Sequence, residues 1–277
     1  MRKIICFWTL LCLPVAAQQK PLELVEAVFA QYEDGPPVPS GHKYRAGETV
    51  FISFKVANYR VNQNNRIHLK YTVEALDPAG LKLVPPQSDQ VSEELSPQDK
   101  NWMPKIRFDA LVPPTAAPGE YKIAATVTDE MGSGQKAAKE FPFQVDGSNM
   151  QPSDTITVRD FAFYRTSEFT EPLQIAAFGP SDEVWARFLM TGYKFGPDNR
   201  VMVEYGVELL NPEGKVVFSQ SKAADFNEES FYPRRYVPGT ASFRLTKVQP
   251  GEYTVRLTIR DLVGGQSNES THPFRVE

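Results

Sequence analysis

An internal repeat of whole-domain length constrains the fold of this chain more than any other feature. The decapeptide 71–80 (YTVEALDPAG) matches 205–214 (YGVELLNPEG) at an offset of 134 residues. Farther on, Pro-Gly-Glu-Tyr at 118–121 matches the same four residues at 250–253, at an offset of 132. Solenoid repeats recur every ~20–50 residues, whereas a unit of about 130 residues is a whole domain. The chain is therefore predicted to be a tandem duplication of one domain.

The boundary between the copies is predicted from a polar stretch that is rich in turn-forming residues. The octapeptide 146–153 (DGSNMQPS) has this composition, which is typical of a short linker. We accordingly expect one domain at 22–146, a linker at 147–155 and a second domain at 156–277. A linker of this length does not let the domains tumble freely, so a preferred relative orientation is expected.

Within each copy, apolar and polar residues alternate with a period of two, as in antiparallel strands that have one face on a core. The alternation is clearest in the second copy at Tyr253, Val255, Leu257 and Ile259. In the first copy, strands are predicted near 22–29, 48–57, 66–76, 81–84, 104–111, 120–129 and 138–145. This pattern predicts an all-β protein built from antiparallel β-sandwiches of about seven strands each.

The repeated Pro-Gly-Glu-Tyr run carries a resemblance to a known fold family. Followed by alternating strand residues and an Asp, at 118–129 and 250–261, it resembles the penultimate strand of bacterial Ig-like and fibronectin-III-like domains. The resemblance implies two tandem Ig-like β-sandwiches. It also implies that Tyr121 and Tyr253 pack at a corner of each sandwich. The family's usual roles are adhesion, spacing and the presentation of a binding surface, without chemistry.

The first residues indicate an export signal. Arg2 and Lys3 precede a short apolar run, and small residues at 16 and 17 precede Gln18. The apolar run is too short for a membrane-spanning helix, which needs roughly 20 apolar residues. We therefore predict a signal peptide at 1–17, and no transmembrane segment in the mature chain.

Cysteine usage and charge narrow the compartment and the partners. The only cysteines, Cys6 and Cys12, lie inside the predicted signal, so the mature chain is expected to have no disulfide. Secreted eukaryotic Ig-like proteins usually carry disulfides, so a mature chain without cysteine favours a bacterial protein that is exported to the periplasm or the extracellular space. Loss of Arg2 and Lys3 lowers the Lys and Arg count from 30 to 28 against 34 acidic residues, a net charge of −6. This acidic surface argues against nucleic acid as a partner.

Residues that could support chemistry are sparse. His42, His68 and His272 are scattered without a metal-binding spacing. The acidic pairs 93–94 and 228–229 lack the alternation of a calcium loop and are interpreted as solvated loop charge. We predict no catalytic residue, no metal site and no cofactor, and hence a protein that is not an enzyme.

One segment departs from the repeat and is the candidate binding surface. It concentrates three aromatic residues and two arginines, Phe231, Tyr232, Arg234, Arg235 and Tyr236, and its counterpart in the first copy centres on Trp102. Exposed aromatics with arginine are enriched at binding surfaces. The alternative is that Phe231 and Tyr236 pack into the core while the arginines are solvated.

Two functions are compatible with these features. The first is an exported, non-enzymatic protein-binding, adhesion or structural module, which binds another envelope or extracellular protein through loops or an edge strand. The alternative is a carbohydrate-binding accessory module that stacks a glycan on Tyr232, Tyr236 or Trp102. Retention on glycans that depends on Tyr232 would favour the second.

Overall fold

The structure is a computed structural model that describes residues 20–99, 101–131, 134–150 and 153–277. The predicted signal peptide at 1–17, with Cys6 and Cys12, lies outside the described residues. The described residues contain β-strands and two single 3-10 turns, Pro97–Asp99 and Pro197–Asn199. None of the helical turns in this part of the chain approaches the length and apolarity needed to cross a membrane.

The strands fall into two sets that follow the predicted repeat. The first set comprises β1 Glu23–Ala30, β2 Lys43–Arg45, β3 Thr49–Ala57, β4 Arg66–Leu76, β5 Gln87–Glu94, β6 Lys105–Leu111, β7 Gly119–Asp129 and β8 Gln135–Asp146. The second set comprises β9 Thr157–Tyr164, β10 Ala177–Phe178, β11 Glu183–Thr191, β12 Val201–Leu210, β13 Val216–Glu228, β14 Val237–Arg244, β15 Gly251–Asp261 and β16 Gln266–Val276.

Both sets have the same sheet topology. In the first, a three-stranded sheet β1-β3-β6 accompanies a five-stranded sheet β2-β8-β7-β4-β5. In the second, the corresponding sheets are β9-β11-β14 and β10-β16-β15-β12-β13. Among the described strands, only the short pairs β2–β8 and β10–β16 are parallel. The prediction of an all-β chain made of two tandem, mainly antiparallel sandwiches is confirmed, and the halves are called the first and second sandwich below.

One strand lies away from its predicted position. The prediction placed a strand at 81–84, but that stretch forms a single bridge from Lys82 to Leu76. Pro85 and Pro86 follow, and proline cannot donate to a strand ladder. The strand therefore starts at Gln87, as β5, whose polar edge sequence shows no apolar alternation.

Each sandwich closes around its own core, formed by the inward faces of both sheets. The alternation in β3 is typical, because Val50, Ile52, Phe54 and Val56 are all buried while the residues between them are partly exposed. The same alternation in β15 buries the residues from which that strand was predicted. Period-two patterning therefore determines which face of each sheet meets the core.

The two repeated motifs are neighbours in space, which explains the glycine in Pro-Gly-Glu-Tyr. Gly119 and Gly251 have φ angles of 153° and 155°, a region that L side chains rarely adopt. A Cβ on Gly119 would lie 3.1 Å from Cγ of Pro78, and one on Gly251 would lie 2.6 Å from Cγ of Pro212. Each glycine thus lets the start of a strand pass close to the proline of the repeated turn.

We expect Gly251→Ala to destabilise the second sandwich by about 2 kcal/mol, because the new methyl group meets Pro212 at an unfavourable φ. Gly196→Ala is the matched control, since Gly196 has a φ of −80° and its nearest neighbour would be 3.6 Å from the new Cβ. Urea denaturation of both variants measures the difference. Equal unfolding free energies for the two variants would contradict this account of the motif.

In each sandwich a tyrosine and a buried aspartate of the penultimate strand form hydrogen bonds with the backbone. Asp129 accepts hydrogen bonds from the backbone N–H groups of Arg60 and Met131, at 2.7 and 2.9 Å. The hydroxyl of Tyr121 donates to the carbonyl of Ala117 at 2.8 Å, and Tyr253 donates to Gln249 at 3.1 Å. Both tyrosines therefore bond to the backbone four residues upstream, the geometry of a tyrosine corner.

Candidate functional site

The segment 231–236 lies between β13 and β14, where the second sandwich meets the first. The Tyr232 hydroxyl donates to Oδ2 of Asp77 in the first sandwich at 2.9 Å. The Tyr232 ring packs against the core of the first sandwich. The side chain of one sandwich is thus part of the packing of the other.

Asp77 is prepared for this contact by the turn in which it lies. Its Oδ1 accepts the backbone N–H groups of Ala79 and Leu81, both at 2.8 Å, which leaves Oδ2 for Tyr232. Burial and the neighbouring Asp77 carboxylate raise the pKa of the Tyr232 phenol above its ordinary value, so the phenol keeps its proton and donates. In the second sandwich the equivalent residue is Asn211, whose Oδ1 accepts from Lys215 N–H at 2.8 Å.

Two further side chains of the segment reach across. Arg235 Nη2 donates to the carbonyl of Met150 at 3.2 Å, and the Tyr236 hydroxyl contacts the carbonyl of Pro114 at 3.4 Å. We call the three contacts made by Tyr232, Arg235 and Tyr236 the clasp. They join the second sandwich both to the first and to the segment between them.

The backbone of the segment is held from its own side. Tyr193 donates its hydroxyl proton to the carbonyl of Arg234, and the Thr191 hydroxyl donates to the carbonyl of Arg235, both at 2.9 Å. Burial raises the pKa of the Tyr193 phenol, so this donor also stays protonated. The clasp is therefore supported by β11 and the residues directly after it.

The two remaining residues of the predicted segment are outside the clasp, and Arg234 lines the junction beside Tyr232. Phe231 is 51% exposed. Arg234 pairs with Glu228 at 2.9 Å and lies over the Phe226 ring, 5.1 Å from its centroid. The prediction joined all five residues in one surface; the structure divides them between the junction and the solvent.

Trp102 lies at the opposite end of the first sandwich. It precedes β6, whereas Pro113 and Pro114, which line the junction, follow that strand. A strand of seven residues spans about 20 Å, so Trp102 and Tyr232 do not form one surface. The Trp102 side chain is 39% exposed, and its backbone carbonyl accepts the hydroxyl of Tyr59.

Two cavities flank Tyr232 at the junction. One, of about 310 Å³, is lined by Leu81, Met150, Tyr193 and Phe195 among others, and the second, of about 210 Å³, is lined by Leu83, Leu111 and Pro113 among others. Most of these side chains are apolar. The junction is thus a partly filled apolar contact that the clasp holds together.

The histidines and acidic residues named from the sequence lie in different parts of the structure. His68 pairs with Glu130 at 3.1 Å, and His272 stacks on Phe161. The acidic pair 93–94 lies in β5 rather than in a loop, because that strand is an exposed edge that accepts charged side chains. Within the ranges that the structure describes, no group of three or more His, Asp or Glu residues is arranged to hold a metal ion.

No protein-family model matches this chain, and no curated protein matches it at a significant level.

An exposed apolar surface that the sequence analysis missed lies at the start of β13. Val216, Val217 and Phe218 are consecutive and are 38%, 51% and 43% exposed; we call them the β13 strip. At the offset of 134 residues the strip aligns with 82–84, so the repeat shows which residues correspond. The sequence does not give the exposure of these residues, which differs between the two copies.

Proposed function

We propose that the chain is an exported, non-enzymatic protein-binding module composed of two Ig-like sandwiches, and that the β13 strip is its binding surface. The Ig-like relationship is supported by the sandwich topology together with the tyrosine corners at Tyr121 and Tyr253. The clasp supports a fixed relative orientation of the sandwiches, because it combines hydrogen bonds with a packed aromatic ring.

The observation that carries this proposal is the combination of an edge position with contiguous exposed apolar side chains. β13 is at the edge of the five-stranded sheet and begins with the β13 strip. The Phe218 ring is positioned by an edge-to-face contact with Phe243, 5.6 Å between ring centroids. Contiguous exposed apolar side chains with an aromatic anchor are typical of protein-binding surfaces.

β13 as a whole is poorly suited to strand addition. Its pairing with β12 shifts register at the strip, between Leu209 and Leu210, and again around Gly206, where a Cβ would lie 2.5 Å from the carbonyl oxygen of Ser221. Lys222 follows directly and is exposed. A bulge and a lysine are devices by which edge strands avoid pairing with other chains. Binding is therefore assigned to the side chains of the strip rather than to the whole edge.

Photo-crosslinking tests this assignment. A photoreactive amino acid in place of Val217 should give a protein adduct in an envelope or extracellular extract. Adding Phe218→Glu should reduce the yield at least about tenfold, because a charge replaces an aromatic anchor. The matched control is the same photoreactive residue at Ile175, which is 78% exposed in the second sandwich.

The carbohydrate alternative predicts retention on a glycan column and no specific protein adduct from position 217. Tyr232 is half-buried with its hydroxyl bonded to Asp77, and Tyr236 contacts the Pro114 carbonyl. Of the three predicted stacking residues, glycan binding would therefore depend on Trp102, which is 39% exposed. Retention on a glycan column that Trp102→Ala abolishes, with equal adduct yields at 217 and 175, would overturn the protein-binding proposal.

A further inference from the structure

The surface that receives the clasp is repeated at the far end of the second sandwich. The Asp77 N–H donates to the Leu81 carbonyl at 2.9 Å, and the Asn211 N–H donates to the Lys215 carbonyl at 2.9 Å. The residue pair that follows is also the same, since the bridge between Leu76 and Lys82 corresponds to the pair Leu210–Val216. The hairpins are therefore equivalent residue by residue as far as Lys82 and Val216. Beyond that point the second hairpin contains one extra residue, because the Leu83 N–H donates to the Ala75 carbonyl whereas Leu209, the equivalent of Ala75, pairs with Phe218.

The two equivalent hairpins differ in what covers them. Leu83 is 3% exposed and lines the cavity beside Tyr232 together with Val84. In the second sandwich the place of Leu83 is taken by Val217 and Phe218 at a register shift, and these are 51% and 43% exposed. The β13 strip thus corresponds, in the second sandwich, to the surface on which the first sandwich receives Tyr232.

The other half of the junction is repeated as well. The Tyr193 hydroxyl bonds to the Arg234 carbonyl, and in the same way the Tyr59 hydroxyl bonds to the Trp102 carbonyl. Trp102 therefore occupies, at the opposite end of the first sandwich, the place that the clasp segment has in the second. Its indole is 39% exposed there.

Because these two ends are the counterparts of the surfaces that meet inside the chain, we propose that copies of the chain associate head to tail, with Trp102 of one copy on the β13 strip of the next. This inference rests on the proposed function and names its partner. An aromatic residue against an apolar strip is the arrangement that dominates binding energy at protein interfaces. Asn211 replaces the buried carboxylate of Asp77, which fits an indole ring that docks mainly through apolar area.

Such a contact joins two different surfaces, so it predicts chains or rings of copies rather than a symmetric dimer. The test is sedimentation of the protein 18–277 over a roughly hundredfold range of concentration. The average mass of the wild-type protein should rise with concentration. Val217→Glu and Trp102→Glu should each weaken association at least about tenfold.

Mixing the two variants separates this arrangement from other contacts. Val217→Glu retains an intact Trp102, and Trp102→Glu retains an intact strip, so an equimolar mixture should form a dimer and nothing larger. Ile175→Glu, at a residue 78% exposed elsewhere, should associate as the wild type does. Trp102→Ala replaces Trp102→Glu if thermal melting shows that the charged variant unfolds the first sandwich.

Three results would overturn the proposal. The first is a wild-type protein that remains monomeric at every concentration. The second is association that persists in both variants. The third is a mixture that remains monomeric although the wild type associates. If the first result accompanies a crosslink from position 217 to a different protein, the proposed function stands and the self-association fails.

Discussion

Replacing Asp261 by alanine is expected to destabilise the second sandwich by about 3–5 kcal/mol, a large part of the stability of an ordinary domain. The buried carboxylate accepts three backbone N–H groups: Lys194 on Oδ2 at 2.9 Å, and Val263 and Gly264 on Oδ1, both at 3.0 Å. Alanine removes the acceptor and leaves these donors without their partner. Most of the expected loss of stability comes from these N–H groups, because each buried donor without a partner costs about 1–3 kcal/mol.

Tryptophan fluorescence during urea denaturation measures this effect in each sandwich separately. Trp185 lies in β11 of the second sandwich and Trp102 lies in the first, so Trp102→Phe and Trp185→Phe backgrounds isolate the two signals. Glu252→Ala, at an exposed position of the same strand, is the control and should change stability by less than about 0.5 kcal/mol. A loss below about 1 kcal/mol for Asp261→Ala would contradict the assigned role.

Replacing Tyr232 by alanine is expected to release the second sandwich from the first. The change removes the half-buried ring and the hydrogen bond to Asp77. We expect the first sandwich to lose about 1–3 kcal/mol, because an apolar contact is deleted and a buried carboxylate oxygen loses its donor. Tyr232→Phe retains the ring and should lose only about 1 kcal/mol.

The distance distribution between the sandwiches reports the release directly. The predicted mature chain has no cysteine, so spin labels can be attached at Val61→Cys and Leu262→Cys, both exposed positions. Tyr232→Ala should broaden the distribution and increase protease cleavage in 147–155. Phe231→Ala, at the exposed neighbouring residue, should leave both unchanged. An unaltered distribution in Tyr232→Ala would show that the clasp does not set the orientation.

The sandwich architecture could be predicted because it depends on local patterns. Period-two alternation and the repeated turn identified β4, β7 and their counterparts, since those residues face a core within their own sandwich. β5 was missed because an edge strand needs no apolar face.

The junction could not be predicted from the same patterns. The sequence singled out Tyr232 as aromatic and unmatched by the repeat, but an exposed ligand site and a contact between domains use the same residue types. Only the position of Asp77, distant in sequence from Tyr232 and close in space, distinguishes the two. The replacement of Asp77 by Asn211 in the second copy was the available clue.

This replacement also means that the order of the two domains matters. Asp77, which accepts the hydrogen bond, belongs to the first domain, and Tyr232, which donates it, belongs to the second. A transposed chain, with the second domain encoded ahead of the first, would join Asn211 to the segment around Trp102, while Asp77 and Tyr232 would lie at its outer ends. The two halves of the repeat are therefore no longer interchangeable, because the hydrogen bond between Tyr232 and Asp77 forms inside the chain in only one order of the domains.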